Sequence, residues 1–367
     1  MAKQLKTATI LKRVVTSGLE LREIFEKSWY PLFSAILGFI IGTSLVILLG
    51  INPLKVMMIL IISLSSRMAL SEIAVAFPAC LFCALSFLLT FRSGIFNFGT
   101  PGQYVLGALC STIYGILFDY HPLINIPLAL LSGFLGGALW ALPAAFLKWR
   151  RNINEVITTL LLSFTAPIFG IYMVKLPGIK DPTRVNIIAS LPVNESTRLP
   201  SLMPGAGVNS SLLLALVAAI LVYILLWKTR MGIRIRATGL NPMAARYHGI
   251  DTDRVMFMTF LLSGGLAGLG GACYILGTAH AYYARTFIGL SGYGLSGIVA
   301  AFIGGIHPIG SIFSSLFFSA LMVSGLMLNI EAKVPVDYVV LIQGVILAFV
   351  AMPLLIREAF RRLGGIK

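Results

Sequence analysis

The sequence predicts an all-α polytopic membrane protein of about ten transmembrane helices, with both termini on the cytoplasmic side. Three observations carry this. Hydrophobic residues make up 58% of the 367-residue chain and charged residues only 11%, at a mean hydropathy of +0.93. A soluble fold cannot bury that much apolar surface. The apolar residues also gather in runs close to the ~20 residues an α-helix needs to cross hydrocarbon. Finally, the basic residues concentrate in alternate connections between those runs.

The elements follow in order. Residues 1–28 mix Lys3, Lys6, Lys12, Arg13, Arg22 and Lys27 with Glu20, Glu23 and Glu26 and lack a short apolar core. They read as a cytoplasmic N-terminal tail or surface helix rather than a cleavable signal. A transmembrane domain is expected over 29–357, with spans near 29–50, 73–91, 102–118, 123–147, 156–176, 209–227, 255–278, 290–306, 308–330 and 335–356. A cytoplasmic tail, 358–367, follows. An even number of spans puts both termini on one side, and the connections then assigned inside hold 20 of the 28 Lys and Arg residues but 7 of the 13 acids. The net charge of +15 is therefore an orientation signal, and nucleic-acid binding is not needed to explain it. Five spans per half is odd, so if the halves are related the second is inverted relative to the first.

Some stretches depart from this scheme. Residues 51–72 are apolar but broken by Lys55, Arg67 and Glu72, the pattern of an amphipathic or re-entrant outer segment. The long outer loop 177–208 carries Pro177, Pro182, Pro192, Pro200 and Pro204, too many for a regular domain, with mixed charges including Arg184, Glu195 and Arg198. Cys80, Cys83, Cys110 and Cys273 all lie in apolar runs and read as small hydrophobes. "SGGLAGLGG", Ser263 to Gly271, lacks the strand that a dinucleotide loop needs. Its Gly264/Gly268 and Ala267/Gly271 pairs place small residues four apart on one face for close helix packing.

Two further motifs invite functional readings. In "FRSGIFNFGTPGQYVLGA", Phe91 to Ala108, the interruptions at Gly94, Gly99, Pro101 and Gly102 fit either an ordinary cytoplasmic turn or a helix N-terminus opened to a cavity. In the basic loop 228–254, Asn241 is a good N-cap, Pro242 a good first helical residue and Gly249 a good terminator. A short capped helix there is either a solvated loop or a knob for a partner's socket. No lysine, arginine or carboxylate occupies the middle of any expected span, and no phosphate-binding loop or zinc-type cluster is present in the sequence. Uphill transport by this chain would need energy from a partner.

"RATGLNPMAARYHGI" (Arg236 to Ile250) resembles the cytoplasmic-loop motif of ABC-importer permeases for branched-chain amino acids, simple sugars and nucleosides, in particular the nucleoside-type branch. "FRSGIFNFGTPGQ", "NINEVITTLLLSF" and "AFIGGIHPIGSIFSSLFFSALMVSG" are similar to three further blocks of that family, in the family's order, over roughly residues 50–355. The resemblance implies a permease subunit with no catalytic residues, metal or bound cofactor of its own. It works beside a second, different permease, an extracytoplasmic binding protein or lipoprotein, and cytoplasmic ATPase subunits that use ATP and Mg. It implies a bacterial cytoplasmic (inner) membrane location, and makes Asn241, Pro242, Ala244, Ala245, Arg246, Tyr247 and Gly249 the coupling helix that seats in the ATPase. Candidate path residues are Phe96 and Phe98 as aromatic faces, and Asn97, Gln103, Thr158, Thr159 and Ser163 as hydrogen-bonding groups. Asn154 and Glu155 are a gate or an ion pair with Arg150 or Arg151. Pro101 and Ser163 stand where the branch often has an acid and an amide, so the solute is a purine nucleoside or riboflavin. A sugar or branched-chain amino acid, or a self-sufficient secondary carrier, is the alternative.

Overall fold

The computed structural model describes residues 36–49, 52–63, 66–184, 186–203, 205, 207–287, 292–332 and 337–351. The expected tails at 1–28 and 358–367 lie outside the described residues. Helical residues 36–44 form α1, which tightens into a 3-10 turn at Leu45–Leu49. There follow α2 (Pro53–Ser63), α3 (Arg67–Phe91), α4 (Thr100–Leu117), α5 (Pro122–Arg151), α6 (Glu155–Val174), α7 (Ser211–Lys228), α8 (Arg230–Leu240), α9 (Pro242–Tyr247), α10 (Thr252–Tyr274), α11 (Ala284–Phe287), α12 (Tyr293–Ile303), α13 (Pro308–Ala332) and α14 (Asp337–Ala351). Among the described residues, six helices are long and apolar enough to cross a membrane: α3, α5, α6, α7, α10 with its extension to Ala279, and α13.

One expected re-entrant segment and one expected span take a particular form. The run 51–72 divides into the short helix α2 and the start of α3, because Ser66 accepts from the Ala69 N–H at 3.1 Å and caps a helix six residues before the expected start. Among the described residues, the run 290–306 holds the 11-residue α12, about 16 Å of helix and half a bilayer. Gly292 at φ 123° precedes it and Gly305 at φ 66° follows it, backbone that a continuous helix cannot contain. Similarly, α10 closes in a π turn, Ile275–Ala279, and His280 takes a left-handed conformation at φ 52°.

At the centre lies α3, nearly all of whose middle is buried, against α7, α10, α12 and α13. Beside it α4, α5 and α10 meet backbone to backbone. A methyl group at Gly107 would lie 2.2 Å from the Gly268 Cα, one at Gly268 2.2 Å from the Gly133 carbonyl oxygen, and one at Gly137 2.2 Å from that of Gly264. The small residues spaced by four are thus a packing stripe, as their spacing predicts.

At the opposite end from α9, the expected outer loop holds a two-stranded antiparallel pairing, β1 (Ser201–Met203) with β2 (Val208–Asn209). It laces the helix ends together: Ser190 N–H donates to the Tyr282 carbonyl at 3.0 Å, Val193 N–H to His280 at 2.8 Å, and Asn194 N–H to Gly115 at 2.8 Å. A proline-rich segment can do this because its remaining N–H groups find partners on neighbouring elements rather than within itself.

Candidate functional site

The glycine-rich connection from Arg92 to Gly99 starts α4 with a polar knot. Asn97 is fully buried. Its Oδ1 accepts from the Gly99 N–H at 2.9 Å and from Gln103 Nε2 at 3.2 Å, while its Nδ2 donates to Gln103 Oε1 and to Ser263 Oγ, each at 3.0 Å. Ser263 in turn donates to the Ser86 carbonyl at 2.9 Å, tying α10 to α3. Ser163 on α6 donates to the Phe98 carbonyl at 2.9 Å, and its Oγ also accepts from the Gly102 N–H at 3.4 Å. Pro101 carries no N–H, so the first turn of α4 is supplied from within the protein.

The expected path residues therefore divide. Asn97, Gln103, Thr159 and Ser163 are brought together and buried, and a methyl on Gly99 would touch the first three of them. In this conformation their polar atoms are engaged. Asn97 and Gln103 bond each other, and the hydroxyls of Thr159 and Ser163 bond backbone carbonyls, Thr159 to Glu155 at 2.6 Å. Thr158 is half-buried and bonds back to the Asn154 and Glu155 carbonyls. Phe98 is half-buried with its ring 6.2 Å from that of Phe87, whereas Phe96 is 41% exposed and edge-on to Phe91 at 5.1 Å. Ser86, Ser263 and Trp140, whose Nε1 donates to the Leu162 carbonyl at 3.1 Å, complete this region. Ser86 and Trp140 sit singly in apolar runs, and Ser263 lies in a stretch marked only for its glycines, so nothing in the sequence points to their hydrogen bonds.

At the entrance to α6, Asn154 is an N-cap, accepting from the Val156 N–H at 2.9 Å. Glu155 pairs with Lys148 at 3.0 Å and not with Arg150 or Arg151. Arg150 instead lies over the Trp149 ring, 4.4 Å from its centroid.

The basic loop folds as two short helices. Thr229 caps α8, accepting from the Gly232 N–H at 3.1 Å, and α8 ends where Gly239 meets the Arg92 carbonyl: a methyl there would come within 2.2 Å. Only glycine permits that approach. Asn241 Oδ1 then accepts from the Ala244 N–H at 3.1 Å, Pro242 opens α9, and Gly249 at φ 77° closes it. Arg246 turns back toward α10, donating from Nε to Thr252 Oγ1 at 2.7 Å and pairing with Asp253 at 2.6 Å. A cavity of about 130 Å³ lies beneath it, lined by Lys148, Trp149, Asn152, Asp253 and Phe257 among others.

Large apolar side chains stand out from this end of the loop: Leu240 at the close of α8 is 88% exposed, and on α9 Met243 is 61% and Tyr247 86%. Ala244 shares that exposure, but Ala245 is 5% exposed and faces the chain itself. Of the two alanines expected on the coupling helix, Ala244 is open to solvent and Ala245 is not, because a two-turn helix seated on its own protein must bury one face.

Known proteins resemble this chain along most of its length. The chain is 29% identical over 353 residues to the nucleoside ABC transporter permease protein NupB of Lactococcus lactis subsp. cremoris, covering 92% of this chain and 94% of that one. It is 29% identical over 346 residues to the glucose ABC transporter permease protein TsgB13 of Haloferax volcanii, covering 90% and 88%. To the guanosine ABC transporter permease protein NupP of Bacillus subtilis it is 30% identical over 282 residues, covering 76% and 80%. The family described as branched-chain amino acid transport system / permease component matches residues 69–351. This polytopic chain, six of whose described helices can cross a membrane, belongs to that family of ABC transporter permeases.

Proposed function

We propose that the chain is one of two permease subunits of an ABC importer in the bacterial cytoplasmic membrane, forming the path for a purine nucleoside or the nucleoside-like riboflavin. The observation that carries this reading is the similarity to nucleoside permeases along 92% and 76% of the chain, rather than over one motif. In this reading about ten helices cross the membrane with both termini inside, and α9 with its exposed Met243 and Tyr247 is the knob that docks an ATPase subunit. ATP with Mg is used there and not by this chain. Rigid-body motion of α9 is passed to the bundle through the Gly239–Arg92 backbone contact, and the path opens alternately to either side. A binding protein delivers solute to the lacing loop 177–208, where Arg184, Glu195 and Arg198 offer salt-sensitive contacts.

The expected path residues enter this reading in two ways. Phe96 is accessible as it stands and supplies a face for an aromatic base. Asn97, Gln103, Thr158, Thr159 and Ser163 become available only when the α4 entrance rearranges, because their polar atoms are engaged in the present conformation. The gate roles of Asn154 and Glu155 rest on the Lys148 pair.

A second reading, import of a simple sugar, has support of its own: the glucose permease of Haloferax volcanii is as similar as the nucleoside permease of Lactococcus. Uptake of radiolabelled guanosine, riboflavin and glucose into cells expressing the chain with its neighbouring ATPase, second permease and receptor separates them. Guanosine or riboflavin uptake that depends on all four components is the expected result. Glucose uptake alone would replace it with the sugar reading, and solute flux through the reconstituted chain without ATPase would overturn the importer reading altogether.

A further inference from the structure

At the α9 end of the bundle, two guanidinium groups and an imidazole from three separate elements surround one aromatic ring. Trp227, in the last turn of α7, has the Arg92 guanidinium 5.3 Å and the Arg236 guanidinium 5.7 Å from its ring centroid. The His307 ring lies 4.6 Å away, and Tyr223 stacks on Trp227 at 5.4 Å. Arg92 caps α3 and donates from Nε to the Ile306 carbonyl at 2.8 Å, which joins it to the turn between α12 and α13. Arg236 is half-buried on α8, and its Nε is buried without a hydrogen-bond partner.

What this cluster lacks is an anion. Among the described residues the ion pairs are Lys148–Glu155, Arg184–Asp181, Arg198–Glu195, Arg246–Asp253 and Arg254–Asp251, and neither Arg92 nor Arg236 belongs to any of them. Cation–π contact with one tryptophan offsets part of the repulsion. It leaves the buried N–H unpaired and two guanidiniums sharing one ring, and partly buried charge is retained at a cost unless it is matched. The strain shows in the groups themselves. Burial first, and Arg236 second, hold Arg92 below the usual arginine range; burial, then Arg92, hold His307 below the usual imidazole range.

We propose that Arg92, Arg236 and His307 form a binding site for a phosphate-type oxyanion at the α9 end of the bundle. The fork of a guanidinium fits a phosphate with two parallel hydrogen bonds, and the free Nε of Arg236 supplies one of the donors. Tyr223 and Trp227 are the residue types that sit at headgroup depth, and basic pockets between helix ends on the cytoplasmic side hold anionic headgroups. The same chemistry suits free inorganic phosphate. An anion here would bridge α3, α7–α8 and the α12–α13 turn, and so fix the base of the loop that carries α9.

The test uses the full chain in nanodiscs of phosphatidylcholine, of phosphatidylcholine doped with phosphatidylglycerol, or of phosphatidylcholine with added inorganic phosphate. Thermal-unfolding midpoint and lipid retained in native mass spectrometry are the readouts. The wild type should rise in midpoint with one of the two anions. A response to phosphatidylglycerol alone identifies a headgroup, and a response to inorganic phosphate identifies the free ion. The Arg92→Gln/Arg236→Gln double variant should lose about tenfold or more in apparent anion affinity, the scale of one charge-assisted hydrogen bond. Arg236→Lys should keep part of it, and Arg234→Gln, exposed on the same helix, should keep all. A wild type that responds to neither anion overturns the proposal, and that arm needs no variant to fold. An equal response from the double variant also overturns it.

Discussion

Truncating the exposed face of α9 should uncouple the permease from its ATPase without harming the permease. Tyr247 is 86% and Met243 61% exposed, four residues apart on one face, so nearly all their apolar surface is still available to a partner. Fully burying a large apolar side chain is worth about 1.5–3 kcal/mol. Scaled by exposure, Tyr247→Ala should cost about 2 kcal/mol of docking and Met243→Ala about 1 kcal/mol, or roughly 30-fold and 5-fold in affinity. The pair will fall short of their sum, since neighbours on one face share contacts. Binding of the purified ATPase subunit to the chain in nanodiscs gives the affinities, and membrane abundance checks expression. The two alanines supply an internal contrast. Ala244→Trp projects outward and should weaken docking at unchanged thermal stability, whereas Ala245→Trp must lift α9 off its own protein and should lower stability itself. Wild-type ATPase affinity and uptake in the Tyr247→Ala/Met243→Ala variant would refute the docking role and leave α9 a solvated loop.

Three other outcomes are expected. Asn97→Ala strands the Gly99 N–H and the Gln103 amide, two buried groups at about 1–3 kcal/mol each; an unfolding midpoint within error of wild type would mean that the knot does not hold α4. Gly268→Val forces a side chain to 2.2 Å from the Gly133 carbonyl and should destabilise by about 1–3 kcal/mol or more, while Gly344→Ala, with nothing within 4 Å, should be near neutral. Equal midpoints for the two would contradict the close approach. Asp181 is held below the usual carboxylate range, first by the Thr183 hydroxyl and backbone N–H and then by Arg184. A depressed folded value means this anchoring is complete above the ordinary aspartate value of about 3.9 and is lost as pH falls through the lower folded value. Hydrogen exchange of residues 181–184 and 186–193 should accelerate only at that acid limit, and acceleration already between neutral pH and about pH 5 would point to another group.

Much of this fold is legible because the bilayer is a simple solvent. Length and hydropathy alone mark α5, α6, α7 and α13 within a few residues of their observed bounds, and the spacing of Gly264, Gly268 and Gly271 marks the stripe that meets α4 and α5. Capping chemistry marks α9, since Asn241, Pro242 and Gly249 each act locally. What escaped reading depends on tertiary choice. Hydropathy cannot distinguish the 11-residue α12 from a full span, because Gly292 and Gly305 stop it through backbone conformation and not through polarity. Side-chain direction is equally hidden: the Lys148 pairing of Glu155, the inward turn of Ala245 and the engagement of Asn97 with Gln103 are all decided by neighbours distant in the chain or across a helix end. Chemistry could be nominated from residue type, but whether a donor is spent or free could not.

The glycine contacts between α4, α5 and α10 have a mechanical meaning. Helices cushioned by side chains can slide, because rotamers adjust to a shift of an ångström or two. Where Gly107, Gly133, Gly137, Gly264 and Gly268 press main chain on main chain, there is nothing soft to yield, and any slip drives a carbonyl into a Cα. These three helices therefore resist sliding past one another and form one stiff unit. Whatever shape change the protein undergoes must be taken up at its margins, where α12 is short and bounded by glycine, and where α10 loosens into a π turn before His280.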